Sequence, residues 1–469
     1  MKTFTTYSLL LISLFLISCK QTTKDAANGT DVNSQTDAKI LMKENVPMWA
    51  KNANMYEVNI RQFTPEGTFA AFETHIPRLK KMGIDILWLM PIYPISEKKK
   101  KGSLGSYYAI SDYTKVNPEF GSLEDFRNMV KTIHAAGMKI ILDFVPNHTG
   151  WDHTWITEHP GYFTQDSEGN IIDPIDPNTG KSWGWTDVAD LNFDNPDMRK
   201  AMIDDMLYWL EDENIDGYRM DVAHGVPVNF WDEVSTALAS SKPDVFMLAE
   251  SEVPELRNNR YFQTDYGWGF HHLLNAIAKG EKGPKDIKAW YDDNKNKYQK
   301  GWHIHFTSNH DENSWAGSTE ERMGKAHDVL AALAYTIDGM PMIYGGQEEP
   351  LTKRLEFFEK DDIGFGDYKK AEWFAKFLHE KHQNKAMWNG DFGGEVEFLS
   401  VTDQVLAYKR QKDGNIVYCI LNLSDKPATY TVSSEVTGLS DLITGKSNAL
   451  KAGQEIALSP WGYQVLTKS

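Results

Sequence analysis

Cysteine is nearly absent: Cys19 and Cys419 are the only two in 469 residues. No disulfide network can staple this chain, so its stability has to come from a buried core. Cations are also scarce. Against 66 Asp and Glu stand 49 Lys and Arg, a formal net charge of -17. Such a surface repels nucleic-acid phosphates and suits a neutral ligand better. Long apolar runs are missing too, since the one from Leu9 to Ile17 is too short to cross a bilayer. No G-x-G-x-x-G turn follows the first strand-like run, which argues against an open, doubly wound dinucleotide-binding sheet. What remains is an ordinary globular composition, 41% hydrophobic and 25% charged, with 15 Trp and 20 Tyr. That is enough for one large domain with appendages, or for two or three smaller ones.

The first residues read as a targeting segment. Lys2 precedes the short apolar run, which ends Leu16-Ile17-Ser18-Cys19. A small residue before a Cys, with Leu three positions ahead of it, resembles the bacterial lipoprotein box. The resemblance implies a signal peptide over 1–18 and acylation of Cys19. It also implies a lipid anchor in the cell envelope, on the periplasmic or outer surface of the outer membrane. With Cys19 acylated, Cys419 has no intrachain partner. Residues 20–39, "KQTTKDAANGTDVNSQTDAK", hold no aromatic and almost no large aliphatic side chain. Residues 19–44 are therefore expected to be a flexible tether.

From about residue 50 the chain alternates. Strand-like runs include "MYEVNIRQF" (55–63), "GIDILWLMPIY" (83–93), "MKIILDFVPNH" (138–148), "IDGYRMDVAHG" (215–225), "DVFMLAESE" (244–252), "HIHFTSNHDE" (303–312) and "MPMIYGGQEE" (340–349). Between them lie helical patterns. Ser122 and Asp125 offer a capping box for a helix whose stripe is Leu123, Phe126, Met129, Val130 and Ile133. Asn195 caps another, with Pro196 at its first position. Strand, helix, strand at this spacing implies parallel pairing with right-handed crossovers. A closed (β/α)8 TIM barrel over 45–385 is the economical architecture. Residues 149–190, rich in Gly, Pro, Asp and Trp, break the alternation and read as a subdomain inserted after strand 3. Short β runs over 386–469 predict a C-terminal antiparallel β domain.

One strand raises a chemical question. In "IDGYRMDVAHG", Tyr218, Met220 and Val222 share one face, and Arg219 and Asp221 the other. A guanidinium and a carboxylate side by side in a barrel interior need partners. Other strands also end in polar groups: Asp143, Asn147 and His148 after the third, Glu250 at the fifth, and Asn309, His310 and Asp311 at the seventh. In a barrel these ends converge on one mouth. Asp143 is expected to play a structural part, pairing with Arg219.

The set resembles the α-amylase family of retaining α-glucan hydrolases and transglycosylases. "DFVPNH" (143–148), "GYRMDVAH" (217–224), "LAES" (248–251) and "FTSNHD" (306–311) look like its four main signatures. "VADLN" (188–192), "GMPMIYGGQE" (339–348) and "GSYYAISDYTKVNPEFGS" (105–122) are similar to further family segments. The resemblance implies Asp221 as nucleophile, Glu250 as general acid/base and Asp311 as transition-state stabiliser. Arg219 would hold Asp221 ionised by lowering its pKa, while the pKa of Glu250 would be raised. His148 and His310 would bind sugar hydroxyls, and Tyr108 would be the aromatic platform beneath the ring that is cleaved. Asn147 and Asp190 match positions that ligate a structural Ca²⁺ in many members, and both are hard oxygen donors. No organic cofactor is implied.

The departures are local. Ser106 stands where many amylases have His. His224 and Gly225 stand where many have Lys-His, on the leaving-group side. Trp183 and Trp185 could stack on glucose, and Lys98–Lys101 reads as a solvated loop run. The expected activity is that of an endo-acting α-amylase cleaving α-1,4-glucosidic bonds of starch, glycogen or maltodextrins. The alternatives are a neopullulanase- or cyclomaltodextrinase-like hydrolase, an α-glucan transglycosylase or, in another class, an inactive glycan-binding lipoprotein. The partner is the α-glucan itself, with no nucleic acid, membrane contact only through the lipid, and glycan-uptake proteins of the envelope as neighbours.

Overall fold

The computed structural model describes residues 46–176 and 179–469. The signal peptide, the tether and the lipidation expected at Cys19 lie outside them. Eight parallel strands close into a barrel in sequential order. They are β1 (Met55–Val58), β2 (Ile86–Leu89), β3 (Lys139–Phe144), β4 (Gly217–Met220), β5 (Phe246–Ala249), β6 (Thr264–Tyr266), β7 (Trp302–His305) and β8 (Met340–Tyr344).

Alternation along each strand builds two layers. Met55, Ile86, Ile141, Phe246, Leu248, Ile304, Met340 and Met342 fill the barrel interior. The other face of the same strands, including Tyr56, Leu87, Ile140, Leu142, Tyr218 and Met247, packs under the helices. Gly217 opens β4 with φ 155°, and a Cβ there would lie 1.9 Å from the Phe246 carbonyl oxygen. Only glycine lets β4 and β5 approach this closely.

The capped helices form as their sequences predict. Ser122 and Asp125 make a reciprocal capping box at the start of Leu123–Ala135. Asn195 accepts from the Asp197 and Met198 N–H groups ahead of Pro196–Glu211. Two readings change. The run 55–63 is not one strand: it ends at Val58, and Ile60–Phe63 turns into a short helix. Strand β6 was not evident, because it is three residues long and carries the polar Thr264 and Asp265.

The excursion after β3 is closed at its neck by His148–Gly150 pairing antiparallel with Val188–Asp190. Beyond the barrel come β9 (Val396–Val401), β10 (Val405–Lys412), β11 (Asn415–Asn422), β12 (Ala428–Thr431), β13 (Val436–Asp441), β14 (Ser447–Leu450), β15 (Glu455–Leu458) and β16 (Tyr463–Lys468). Six of them form an antiparallel sheet in the order β9-β10-β11-β16-β13-β14, while β12 pairs with β15. Among the described residues no helix is long and apolar enough to cross a membrane.

Candidate active site

The strand ends do meet. A cleft of about 860 Å³ opens at the C-terminal mouth of the barrel, and Tyr108, His148, Asp221, Glu250, His310 and Asp311 all line it.

Arg219 is at its centre and fully buried. Its Nη1 lies 2.8 Å from Asp143 Oδ1 and 2.6 Å from Asp221 Oδ1, and its Nη2 lies 3.0 Å from Glu250 Oε2. The guanidinium faces the rings of Trp88, Tyr266 and Tyr108 at 5.1, 5.6 and 5.7 Å. Asp143 pairs with Arg219 as expected, and its other oxygen accepts from Trp88 Nε1 and Tyr108 Oη. Directly after Asp221, Val222 adopts φ 45° and ψ 42°. For a β-branched residue this left-handed conformation is costly, on the order of 1–3 kcal/mol. It aims the Val222 N–H at Glu250 Oε2, 2.8 Å away.

A second network adjoins the first. His310 Nδ1 lies 2.5 Å from Glu57 Oε1, and its Nε2 lies 2.9 Å from Tyr108 Oη and 3.3 Å from Asp311 Oδ2. Burial works against a charge on His310, but Asp311 and Glu57 outweigh it and push the imidazole up to about 9. The opposite holds for His148, which burial pushes down to about 4 and so keeps neutral.

Five carboxyls (Glu57, Asp143, Asp221, Glu250 and Asp311) therefore share one guanidinium and one imidazolium. They cannot all ionise. Burial lifts Glu57, Asp221 and Asp311 above the ordinary carboxylate range, and takes Asp143 up to about 6. Glu250 moves the other way. Burial would raise it too, but Arg219, the Val222 N–H and a side-chain hydrogen bond with Asp221 hold it low. This corrects the expectation of a depressed Asp221 and a raised Glu250. The cause is local: Glu250 accepts from the Val222 N–H as well as facing Arg219, whereas Asp221 is crowded by Glu250 and Asp143. The acids titrate as one unit.

Other walls of the cleft were not read from the sequence. Phe357 stacks beside Tyr108 at 6.3 Å, and Phe358, Trp268 and Glu252 also line the opening. Trp183 and Trp185 sit 4.7 Å apart on the wall, and Trp183 lies 6.4 Å from His224. The lysine run is not simply solvated, since Lys101 pairs with Asp187 at 2.6 Å on the cleft wall. Gly225 has a packing reason, because a Cβ there would lie 2.7 Å from Asn147 Oδ1 and 3.1 Å from Trp183. Ser106 Oγ accepts from the Tyr108 N–H at 3.2 Å.

For Ca²⁺ the fit is incomplete. Asn147 and Asp190 flank the neck of the excursion, and burial lifts the Asp190 carboxyl to about 6. Ca²⁺ takes six to eight oxygens. Among the described residues, no group of three or more His, Cys, Asp or Glu is placed to hold a metal ion.

Comparison with known proteins bears on the whole arrangement. The family model described as "Alpha amylase, catalytic domain" matches residues 31–413, and that of the maltogenic amylase C-terminal domain matches residues 396–465. Alpha-amylase 3 of Dictyoglomus thermophilum is 24% identical over 495 residues, covering 89% of this chain and 93% of its own. An oligo-1,6-glucosidase of Parageobacillus thermoglucosidasius is 24% identical over 381 residues, covering 65% and 66%. The crystal structure of a noncanonic maltogenic α-amylase from Thermotoga neapolitana shares the fold, with a TM-score of 0.80 at 24% identity over 90% of this chain and 99% of that one. Since the catalytic-domain match spans the entire barrel whose rim gathers these acids, the chain belongs to the α-amylase family of glycoside hydrolases.

Proposed function

We propose that this protein is a retaining, endo-acting α-amylase that hydrolyses α-1,4-glucosidic bonds of starch, glycogen or maltodextrins. One observation carries the reading: Asp221 and Glu250 contact the same Arg219 guanidinium, at 2.6 and 3.0 Å, at the floor of the cleft, which keeps the two carboxyls close together. Inverting hydrolysis needs roughly 6.5–9.5 Å between the two carboxyls to admit a water, whereas a retaining pair works at about 5–5.5 Å. Asp221 attacks the anomeric carbon while Glu250 gives its proton to the departing glycosidic oxygen. Water then cleaves the glycosyl–Asp221 ester, returning its proton to Glu250. Asp311 and protonated His310 face the ring on which positive charge and hydroxyl contacts develop. His148, neutral, serves as a hydrogen-bond partner for hydroxyls.

Asp221→Asn and Glu250→Gln should each lower kcat on soluble starch by roughly 10⁴-fold or more while maltoheptaose still binds. Wild-type chain that binds maltoheptaose without releasing reducing sugar would instead point to a glycan-binding protein. The match of residues 396–465 supports a second reading, a neopullulanase- or cyclomaltodextrinase-like hydrolase. Release of products from pullulan and cyclodextrins faster than from amylose would favour it. We also propose that Cys19 carries the lipid anchor. Cys19→Ser should move the protein from the membrane fraction to the soluble one, and unchanged fractionation removes the anchor.

A further inference from the structure

Trp315 is the exception among the large aromatics. It is 57% exposed, and among the described residues Met48 is the one other large hydrophobic so open to water. It stands four residues after Asp311, on the π-helical turn Glu312–Ala316. Insertions of this kind recur at functional sites because they displace a side chain from its helical position.

The turn is held firmly. The Glu312 N–H donates to Asn309 Oδ1 at 2.8 Å, and the Glu312 carboxylate lies 2.9 Å from His271 Nε2. Asn313 is buried, donates to the Lys353 carbonyl at 3.1 Å and accepts from the Leu355 N–H at 2.9 Å. Asn313 thus ties the Trp315 turn to the segment that leads into Phe357. The rings follow suit. Trp315 lies 5.3 Å from Phe357 and 5.8 Å from Phe358, and Phe357 lies parallel to Tyr108 at 6.3 Å. A row of aromatic faces therefore runs from the cleft centre, through its wall, to an indole outside the mouth. A separate aromatic pair, Trp183 and Trp185, lines the cleft beside His224 and His148.

A large indole kept in water on an anchored turn forgoes burial of the 150–250 Å² typical of aromatic side chains. The arrangement makes sense if a ligand covers it, and a rigid platform binds with little ordering cost. We propose that Trp315 is an outer subsite that stacks on a glucose residue of a long α-1,4-glucan, beyond the residues seated in the cleft. The assignment rests on Tyr108 as the platform at the cleaved ring. It makes Trp315 a determinant of chain-length preference, since a short oligosaccharide ends before reaching it. The C–H face of a pyranose suits an indole face, and no charge is required of the ligand.

The test compares maltoheptaose with maltotriose. In Trp315→Ala the ratio of kcat/KM for maltoheptaose over maltotriose should fall roughly five- to tenfold, through KM rather than kcat. Trp315→Phe should restore most of that ratio. An equal loss on both substrates would mark Trp315 as merely structural, and an unchanged ratio would remove the subsite; either overturns the proposal. Titration of maltoheptaose into Glu250→Gln, with and without Trp315→Ala, separates this from the hydrolytic reading. Weaker binding in the double variant supports the subsite even if the wild-type chain shows no turnover, and equal binding refutes it.

Discussion

Arg219 and Arg410 are both fully buried, and they are buried in opposite ways. Arg410, on β10, is satisfied by backbone. Its Nε donates to the Gly394 carbonyl at 2.7 Å, its Nη1 to Thr336 and Ile337 at 3.2 and 3.0 Å, and its Nη2 to Trp388 at 2.8 Å. One acid, Asp338, stands off at 3.5 Å. Arg219 has the reverse surroundings. Three carboxyls crowd it, while its Nε and Nη2 lack an aligned hydrogen bond among the described residues. A guanidinium whose N–H groups all face fixed carbonyls has nothing left to do but join segments, here β10 with the end of β8's preceding helix and with the 388–394 loop. One that holds several acids in unequal contacts governs where their protons sit. Burial of a charge alone does not distinguish structure from chemistry; the identity and slack of its partners do.

Exchange variants put that contrast to the test. Arg219→Lys keeps the charge but loses the planar fork that touches Asp143, Asp221 and Glu250 together. It should lower kcat/KM on starch by roughly 10³-fold, with a far smaller effect on folding than on turnover. Arg410→Met should do the reverse. It leaves several buried carbonyls unpaired and should cost about 3 kcal/mol of stability in urea unfolding, while kcat/KM measured well below the transition changes less than about threefold. Comparable activity losses in the two variants, at a temperature where both are folded, would end the distinction.

The same contrast shows what was legible in the sequence. An Arg and an Asp alternating with Tyr, Met and Val announced a charged interior for β4, and the barrel supplied the company of Asp143 and Glu250. Glu57 carried the same kind of signal, a lone acid inside the apolar run "MYEVNI", yet its partner His310 is 253 residues away. Nothing local links them. Strand β6 escaped because three residues show no period. Trp315 and Phe357 meet on loops after different strands, so only closure of the barrel brings them together. What lowers Glu250 includes the Val222 N–H, a backbone group invisible to motif reading. Residue identity foretold which acids gather, while their protonation follows from distances.

The His310 network yields the smallest and most graded effect, and it separates the two clusters of the site by pH. Its folded-state pKa is about 9, sustained against burial by Asp311 and Glu57, while an unfolded chain returns it to about 6.5. A histidine raised on folding adds stability that is fully present below the unfolded value and is lost as pH rises through the folded one. The wild-type thermal midpoint should therefore decline between about pH 6.5 and 9. His310→Gln, which keeps a hydrogen-bonding side chain but cannot charge, should flatten that decline, although Asp311 and Glu57 would then lose their cation and the variant would start from a lower midpoint. Arg219 itself contributes nothing to this decline, because its cation keeps its charge throughout the window, and the acids around it are still present in the variant. A decline of the same steepness in His310→Gln would assign the alkaline loss to another group and detach His310 from Glu57 and Asp311 as the source of the coupling.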